Sequence, residues 1–507
     1  MTSPPTDNPG TVYLVGAGPG DPGLITLRGV ECLALADVVL YDYLVNPVLV
    51  EHASHSAVLV RLGDPDVGRA HAPDDITARM IDEARSGRTV VRLKSGDPSV
   101  FGRGADEADA LRKAGIPYEI VPGVTAGLAV AAYCEIPITH HQDASAVALV
   151  TGTERQQKVE SSLDRGLAEF PGTLIFYMGV GKAASWSEAL LEQGKAPETP
   201  VAIVRWCSRA EQETVRCTLG TVTDVVERRG IRPPAVFVVG GVVDRAPKIS
   251  WFEARPLFGT RILVAGTQAS SNKLRAGLST LGADVTVEPA IRIADPPDWD
   301  PVDVALDKLD EYHWVVFSSG NGVDYLIQRL LNRGGDLRRL GRVKLAVVGS
   351  GTADRLAQYN LRADLVPERF NAESLAQALA GQAPGRRFLL AQANRGRDLL
   401  ADVLEKAGAH VDRVVVYSSI DVEEPSPRMS SALSSGEIDW ITVTSPATAK
   451  SLARLYGDGL KRARLASISP LTSAALRKSG YEPAAEASPH TTDGLVDAIR
   501  RAQDESG

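Results

Sequence analysis

The second half of this 507-residue chain repeats itself, and a repeat restricts the folds open to a sequence more than any single motif does. LGADVTVEPAIRI from Leu281 is echoed by AGAHVDRVVVYSSI from Ala407, and WVVFSSGNGVDYL from Trp314 by WITVTSPATAKSL from Trp440, both 126 positions on. A third block, LAVVGSGTADRLAQYNLRADLVPERFNAESLAQAL from Leu345, returns 120 positions on as LASISPLTSAALRKSGYEPAAEASPHTTDGLVDAI from Leu465. Each block joins a short apolar run, a small-residue turn and an amphipathic stretch, the pattern of strand, turn and helix. Used twice, the unit predicts two similar α/β lobes facing one another, with substrate in the cleft between the strands' carboxyl ends.

The first half alternates in the same way. Strands are expected at Thr11 to Val15, Val38 to Tyr41, Val58 to Val60, Thr89 to Leu93, Tyr118 to Val121, Ala146 to Thr151, Thr173 to Met178, Val201 to Val204 and Ala235 to Val239, with helical segments between, so the fold class is α/β throughout. Residues 1–10 read as a flexible tail. From Asp244 to Gly259 the pattern breaks into a charged, exposed-looking stretch with two prolines, and a fresh strand opens at Arg261. This places domains at 11–245 and 261–503 with a linker at 246–260.

Composition narrows the function. With 44% hydrophobic and 23% charged residues the chain has the balance of a folded globular protein. No run of 18 apolar residues occurs and the polar, Pro-rich start lacks a basic-then-apolar leader, so a cytosolic protein is expected, with neither a membrane span nor a secretory signal. Cys32, Cys134, Cys207 and Cys217 form no CxxC pair and are expected to be buried free thiols. A net charge of -8 argues against a broad grip on nucleic acid, so an anionic substrate must be caught by local clusters of arginine, lysine and backbone amides.

The turn Gly16 to Gly23 follows a strand, and Asp42 lies some way on, as a dinucleotide site would have it. The spacing refuses that reading: Gly16, Gly18 and Gly20 give GxGxG, and Asp21-Pro22 stands where the third glycine and its amides belong. His140 and His141, read as neighbours on a strand, would point to opposite faces, so no metal site is expected there.

In the company of VGAGPGDPGLITLRG from Val15, ADVVLYDYLV from Ala36, RLKSGDPSVFGRG from Arg92, YEIVPGVTAG from Tyr118, IPITHH from Ile136 and FYMG from Phe176, the turn acquires a meaning. Residues from about 11 to 245 resemble the tetrapyrrole methylase family, most closely its uroporphyrinogen-III C-methyltransferases. The resemblance implies two α/β lobes holding S-adenosylmethionine, and methylation of uroporphyrinogen III at C2 and C7 to give precorrin-2, on the routes to sirohaem and cobalamin. It implies a donor site at Pro19, Ser95, Gly96, Asp97, Val100, Thr125, Ala126 and Met178, with Cys207 where the family has a glycine near the donor. Asp42 matches the proposed base. The chain departs from the family pattern at Asp64, Tyr43 and His141, which replace basic residues, and at Thr153, which replaces a histidine; Arg61, Arg69, Arg103 and His140 are candidates to replace the lost grip on substrate carboxylates.

From about Arg261 to Ile499 the chain resembles uroporphyrinogen-III synthase, through HWVVFSSGNGVDYL, LAVVGSGTADRL, ADLVPERFNAESL, RDLLADVLEKAGAHVDRVVVYSS and HTTDGLVDAI. That resemblance implies closure of hydroxymethylbilane to uroporphyrinogen III with inversion of the last ring, without a cofactor. Ser318, Ser319, Ser445 and Thr472, with turn amides near Gly349 to Thr352, are expected to bind substrate carboxylates. Tyr417 matches a tyrosine thought to assist departure of the hydroxyl. The whole reads as a bifunctional enzyme acting on small tetrapyrroles, with a homodimer as the expected assembly and no metal, membrane or nucleic acid. An alternative stays open in which only the synthase half is catalytic and the first half binds tetrapyrrole or regulates.

Overall fold

Aliphatic and β-branched runs make the strands of the first half. In the computed structural model, which describes residues 9–63, 72–153, 166–266, 268–369, 371–396 and 398–505, strands β1 (Val12–Gly16), β2 (Val38–Asp42), β3 (Val58–Leu62), β4 (Val90–Lys94) and β5 (Tyr118–Val121) form a parallel sheet in the order β3-β2-β4-β1-β5. Strand β4 is buried along its whole length, as a central parallel strand covered on both faces must be, although two of its five residues are Arg92 and Lys94. The second sheet contains β6 (Val147–Thr151), β7 (Thr173–Tyr177), β8 (Pro200–Arg205), β9 (Glu213–Thr218) and β10 (Ala235–Val239) in the order β6-β7-β10-β8-β9. Only β6 and β7 pair in parallel; the other neighbours are antiparallel. The sequence reading missed β9: as an edge strand paired to β8 alone, it buries Val215 and little else, so its apolar signal is faint.

The stretch 246–260 is not the exposed connector its charges suggest. Phe252 and Leu257 are fully buried, Phe252 stacking edge-on against Tyr133 and Phe258, and residues up to Thr260 form one compact unit together with Leu281–Asp284. The prolines lie on the outside of a segment whose Phe252 and Leu257 side chains are drawn into the core, while Trp251 stays exposed.

The second unit holds Arg261–Thr280 and Val285 onward. Its strands are β11 (Arg261–Ala265), β12 (Asp284–Glu288), β13 (Ile291–Ala294), β14 (Trp314–Phe317), β15 (Lys344–Val347), β16 (Arg387–Ala393), β17 (His410–Asp421), β18 (Trp440–Val443), β19 (Arg464–Ser467) and β20 (Ala485–Glu486). They make two five-stranded sheets, β12-β11-β18-β19-β20 and β13-β17-β16-β14-β15. The internal repeat extends to register. Ile262 pairs with Trp440; shifting the two by the 126-residue offset in opposite directions gives Phe388 and Trp314, which pair likewise. Trp440 pairs with Arg464 and Trp314 with Lys344, each cation resting on its tryptophan ring, at 4.3 and 5.5 Å from the centroid. The chain thus begins one lobe with β11 and β12, builds the other, and returns to finish the first. No described helix is long and apolar enough to cross a membrane.

At the carboxyl ends of β1, β4 and β5 three loops meet peptide against peptide. A Cβ on Gly123 would lie 2.3 Å from the Gly96 carbonyl oxygen, and one on Gly16 would lie 2.5 Å from the Gly123 nitrogen. Gly18 and Gly96, at φ +75° and +69°, exchange backbone hydrogen bonds of 3.2 and 2.8 Å. Replacing Gly123 by alanine forces rigid backbone apart, and a loss of about 3 kcal/mol in unfolding free energy is expected by denaturant titration; a change below about 0.5 kcal/mol would show that these loops yield freely.

Candidate functional site

In the first unit the contacts run from loop to loop. The Gly18–Gly96 pair joins the turn bearing Pro19 to the turn Ser95, Gly96, Asp97. The Asp97 carboxylate accepts from the Gly123 amide at 2.9 Å and from the Ser99 amide at 2.7 Å, fixing the loop that leads to Thr125 and Ala126. Thr125 begins the helix Ala126–Tyr133, and its hydroxyl shares a 2.8 Å hydrogen bond with the Tyr177 hydroxyl, which also accepts from the Gly127 amide at 2.7 Å. Tyr177 ends β7 in the second sheet, so this phenol ties the two lobes together beside Met178. Burial pushes the Tyr177 hydroxyl pKa up, which keeps it neutral and able to bridge.

Eight of the nine residues expected around the donor lie along this chain of contacts: Pro19, Ser95, Gly96, Asp97, Val100, Thr125, Ala126 and Met178, with the Val100 amide donating to the Asp97 carbonyl at 3.3 Å. Met178 is half-exposed at φ +53°, and Phe101, whose ring lies 5.1 Å from that of Tyr177, also has φ +53°. Non-glycine residues in the left-handed region cost energy and gather where a loop must present a side chain. Cys207 differs: its side chain is buried in an apolar cluster with Cys134, and the neighbouring thiol and burial raise its pKa well above the ordinary value.

Asp42 ends β2 and is only partly buried. Its carboxylate accepts from Arg92 and, at 3.3 Å, from the Ser95 amide, which attaches it directly to the loop cluster. Arg92 also donates through Nε to Glu107 at 3.2 Å, and Lys94 reaches Glu107 at 2.8 Å. Two buried cations therefore face two carboxylates, and desolvation, then repulsion from Arg92, pulls the Lys94 pKa down. The sequence reading missed Arg92, Lys94 and Glu107. The signal was there in the VRLK run, whose alternation imitates an edge strand facing water.

The remaining basic candidates are scattered. Arg103, at φ +58°, pairs on the surface with Asp106 at 3.0 Å. His140 and His141 are not on a strand: their rings lie side by side, 4.4 Å apart, in a turn where His140 Nδ1 sits 2.9 Å from Asp143, itself gripped by Arg245. Among the described residues no cluster suited to a metal ion forms. Cys32, Cys134 and Cys207 are buried and Cys217 half-buried, all unpaired as disulfides. Asp64 and Arg69 lie outside the described residues.

In the second unit the strand ends carry helix caps. Ser319 accepts from the Gly322 amide at 3.1 Å and Ser445 from the Thr448 amide at 3.1 Å, the same role one repeat apart. The Ser319 hydroxyl also lies 3.0 Å from the hydroxyl of Tyr417, which is nearly buried on β17. Ser318 is exposed at the end of β14, and the Gly349 turn opens the helix Ser350–Gln358 without a side-chain cap. Thr472 is a correction: it is fully buried within the first turn of the helix Pro470–Lys478, and Ser469 occupies the strand-end position, 3.1 Å from the Thr472 hydroxyl. Across the two sheets, Asp421 at the end of β17 accepts from Arg395 at 2.8 and 2.9 Å and from Ser451 at 2.6 Å.

The family model described as Tetrapyrrole (Corrin/Porphyrin) Methylases matches residues 11–223, and that described as Uroporphyrinogen-III synthase HemD matches residues 272–497. A "Porphyrin biosynthesis protein HemD" of Ruminiclostridium josui is 35% identical over 87% of this chain and 87% of its own length. A "Uroporphyrinogen-III C-methyltransferase" of Bacillus subtilis (strain 168) is 39% identical over 65% of this chain and 68% of its own. One of that name from Priestia megaterium is 43% identical over 46% of this chain and 99% of its own.

Two outcomes follow from the charges. Arg92→Met leaves Asp42 and Glu107 facing Lys94 alone in a buried site, and a destabilisation of about 3 kcal/mol is expected in chemical denaturation; an unaltered midpoint would mean the carboxylates are solvated. Arg395 holds the Asp421 pKa down, from 3.8 to about 2. A depressed folded-state pKa contributes stability that is present above the unfolded value and fades as the pH falls towards 2. Asp421→Asn should therefore flatten the loss of stability between pH 4 and 2, read from denaturant midpoints across that range.

Proposed function

Because the chain belongs to the tetrapyrrole methylase and uroporphyrinogen-III synthase families, joined in one polypeptide, we propose that it is a bifunctional enzyme of tetrapyrrole biosynthesis. In this reading the second unit closes hydroxymethylbilane to uroporphyrinogen III with inversion of ring D. The first unit methylates that product at C2 and C7 to precorrin-2, with S-adenosylmethionine as donor. The observation that supports it best is the continuous set of contacts from the Pro19 turn through Ser95–Asp97 and Thr125 to Tyr177 and Met178, with Asp42 attached at Ser95.

The residues present fit the donor. Gly96 and Ala126 carry little or no side chain, which leaves room beside these loops for an adenosine and an amino-acid tail, and the half-exposed Met178 offers an apolar wall. When bound, the donor supplies an electrophilic methyl group on a sulfonium. A pyrrole carbon of the reduced macrocycle is already nucleophilic, so the protein's task is alignment, exclusion of water and removal of one proton. Asp42 takes that proton. Two hydrogen-bond donors, Arg92 and the Ser95 amide, fix the direction of its carboxylate; the proton it removes comes from the pyrrole nitrogen or a bridging carbon next to the alkylated position, because the methylated carbon itself is fully substituted.

In the second unit Tyr417 donates its phenolic proton to the departing hydroxyl, which leaves as water, and Ser319, fixed by its helix cap, holds the phenol in place. A phenol retains its proton at neutral pH, where a carboxylic acid would have lost it. The capped helix starts after β14 and β18 then hold the carboxylates of the linear substrate in a folded conformation, against closure to isomer I.

The test is an anaerobic assay with hydroxymethylbilane, with and without S-adenosylmethionine, reading isomer by chromatography and methyl count by mass. Isomer III with two added methyl groups is expected. Unmethylated isomer III would confine catalysis to the second unit, and isomer I alone would overturn the synthase assignment. Asp42→Asn should lower methyl transfer about 100-fold and leave ring closure intact, and Tyr417→Phe should do the converse, in line with the usual worth of one acid or base.

A further inference from the structure

On the reading of the second unit as a synthase, we infer that Lys450, Arg395 and Arg454 form a carboxylate-binding subsite bridging its two lobes. A cleft of about 450 Å³ lies there, lined by Arg395, Asp421, Ser445, Lys450, Ser451 and Arg454 among others. Arg395 follows β16 and Asp421 ends β17 in one sheet, whereas Ser445 to Arg454 follow β18 in the other, so the cleft stands at strand carboxyl ends of both. Three cations line it against one carboxylate.

The three are not equivalent. Both Arg395 terminal nitrogens are held by Asp421, at 2.8 and 2.9 Å, and Arg454 donates to the carbonyls of Val422 and, at 3.1 Å, Glu423. These bonds fix the two guanidiniums while their charge remains only partly compensated. Lys450 is exposed on the helix Pro446–Tyr456 and has no ion-pair partner among the described residues. Ser445 caps that helix, so the positive end of its dipole adds to the same field. The repeat-related positions lack the feature: the 126-residue offset places Asp324 and Gln328 where Lys450 and Arg454 stand, and Ala269 where Arg395 stands. A repeated scaffold thus carries these three cations in one of its two settings only. A linear polycarboxylate whose terminal rings must be told apart needs such an asymmetry, and Lys450 is the cation free to meet a substrate carboxylate.

Ring closure assayed without S-adenosylmethionine reports on the second unit alone. Lys450→Glu is expected to raise KM for hydroxymethylbilane at least tenfold, which is about 1.4 kcal/mol of binding, with kcat within twofold and a larger share of isomer I. Lys450→Arg should restore KM. Lys461→Glu, at a lysine paired with Asp458 before the opposite, amino end of β19, serves as the charge-matched control and should change neither constant. If the unaltered chain makes isomer III and Lys450→Glu leaves KM unchanged, or if Lys461→Glu raises it equally, the subsite is overturned. If the unaltered chain yields isomer I alone, the synthase reading fails and the subsite with it.

Discussion

Peptide groups in direct contact at Gly16, Gly96 and Gly123 hold the first unit's site together. With a Cβ excluded at distances of 2.3 and 2.5 Å, the ends of β1, β4 and β5 converge closely enough for the Asp97 carboxylate to span two loops and for Gly18 and Gly96 to pair outside any strand. A ligand held by backbone groups needs backbone that does not move, because small loops have no side-chain bulk to restore a lost contact. The same convergence places Asp42 against the Ser95 amide, so the position of the candidate base depends on glycines that never touch it.

The chain declared its architecture through periodicity. The 126- and 120-residue echoes give the two lobes of the second unit, and they hold down to paired residues such as Ile262–Trp440 and Phe388–Trp314. Central strands were legible for the same reason, since a strand buried on both faces must be apolar. Legibility ended where burial and composition disagree. Edge strand β9 needs little apolar surface, the segment 246–260 hides Phe252 and Leu257 among charges, and Thr472 differs from Ser469 only by its place within a helical turn. The donor loops could be named from motifs, yet their mutual contacts, and the Tyr177 hydroxyl that links the lobes, are properties of three dimensions.

Arg92, Lys94 and Glu107 illustrate that gap. Burying Arg92, Lys94 and Glu107 costs several kcal/mol per ion, and the geometry offsets this through one guanidinium that reaches both Glu107 and the partly buried Asp42 and one ammonium that completes Glu107. Such a cluster gives little net stability over an apolar core. What it contributes is orientation, because the Asp42 carboxylate cannot take another direction without breaking the Arg92 contact.

The second unit uses charge in the opposite manner. Its Arg395–Asp421 pair is more than one-third exposed, so water screens it and its partners can be exchanged at small cost. A substrate with many carboxylates and flexible joints arrives in many conformations, and a clamp that closed rigidly on one of them would bind slowly. On the proposed reading, exposed cations at a cleft between lobes would attract all of these conformations, while the buried phenol of Tyr417 beside Ser319 would act only on the one whose hydroxyl reaches it. In that reading, selection of the inverted ring closure would follow from separating the two tasks: solvated charge for capture, and a dry, fixed proton donor for the step that must happen in a single geometry.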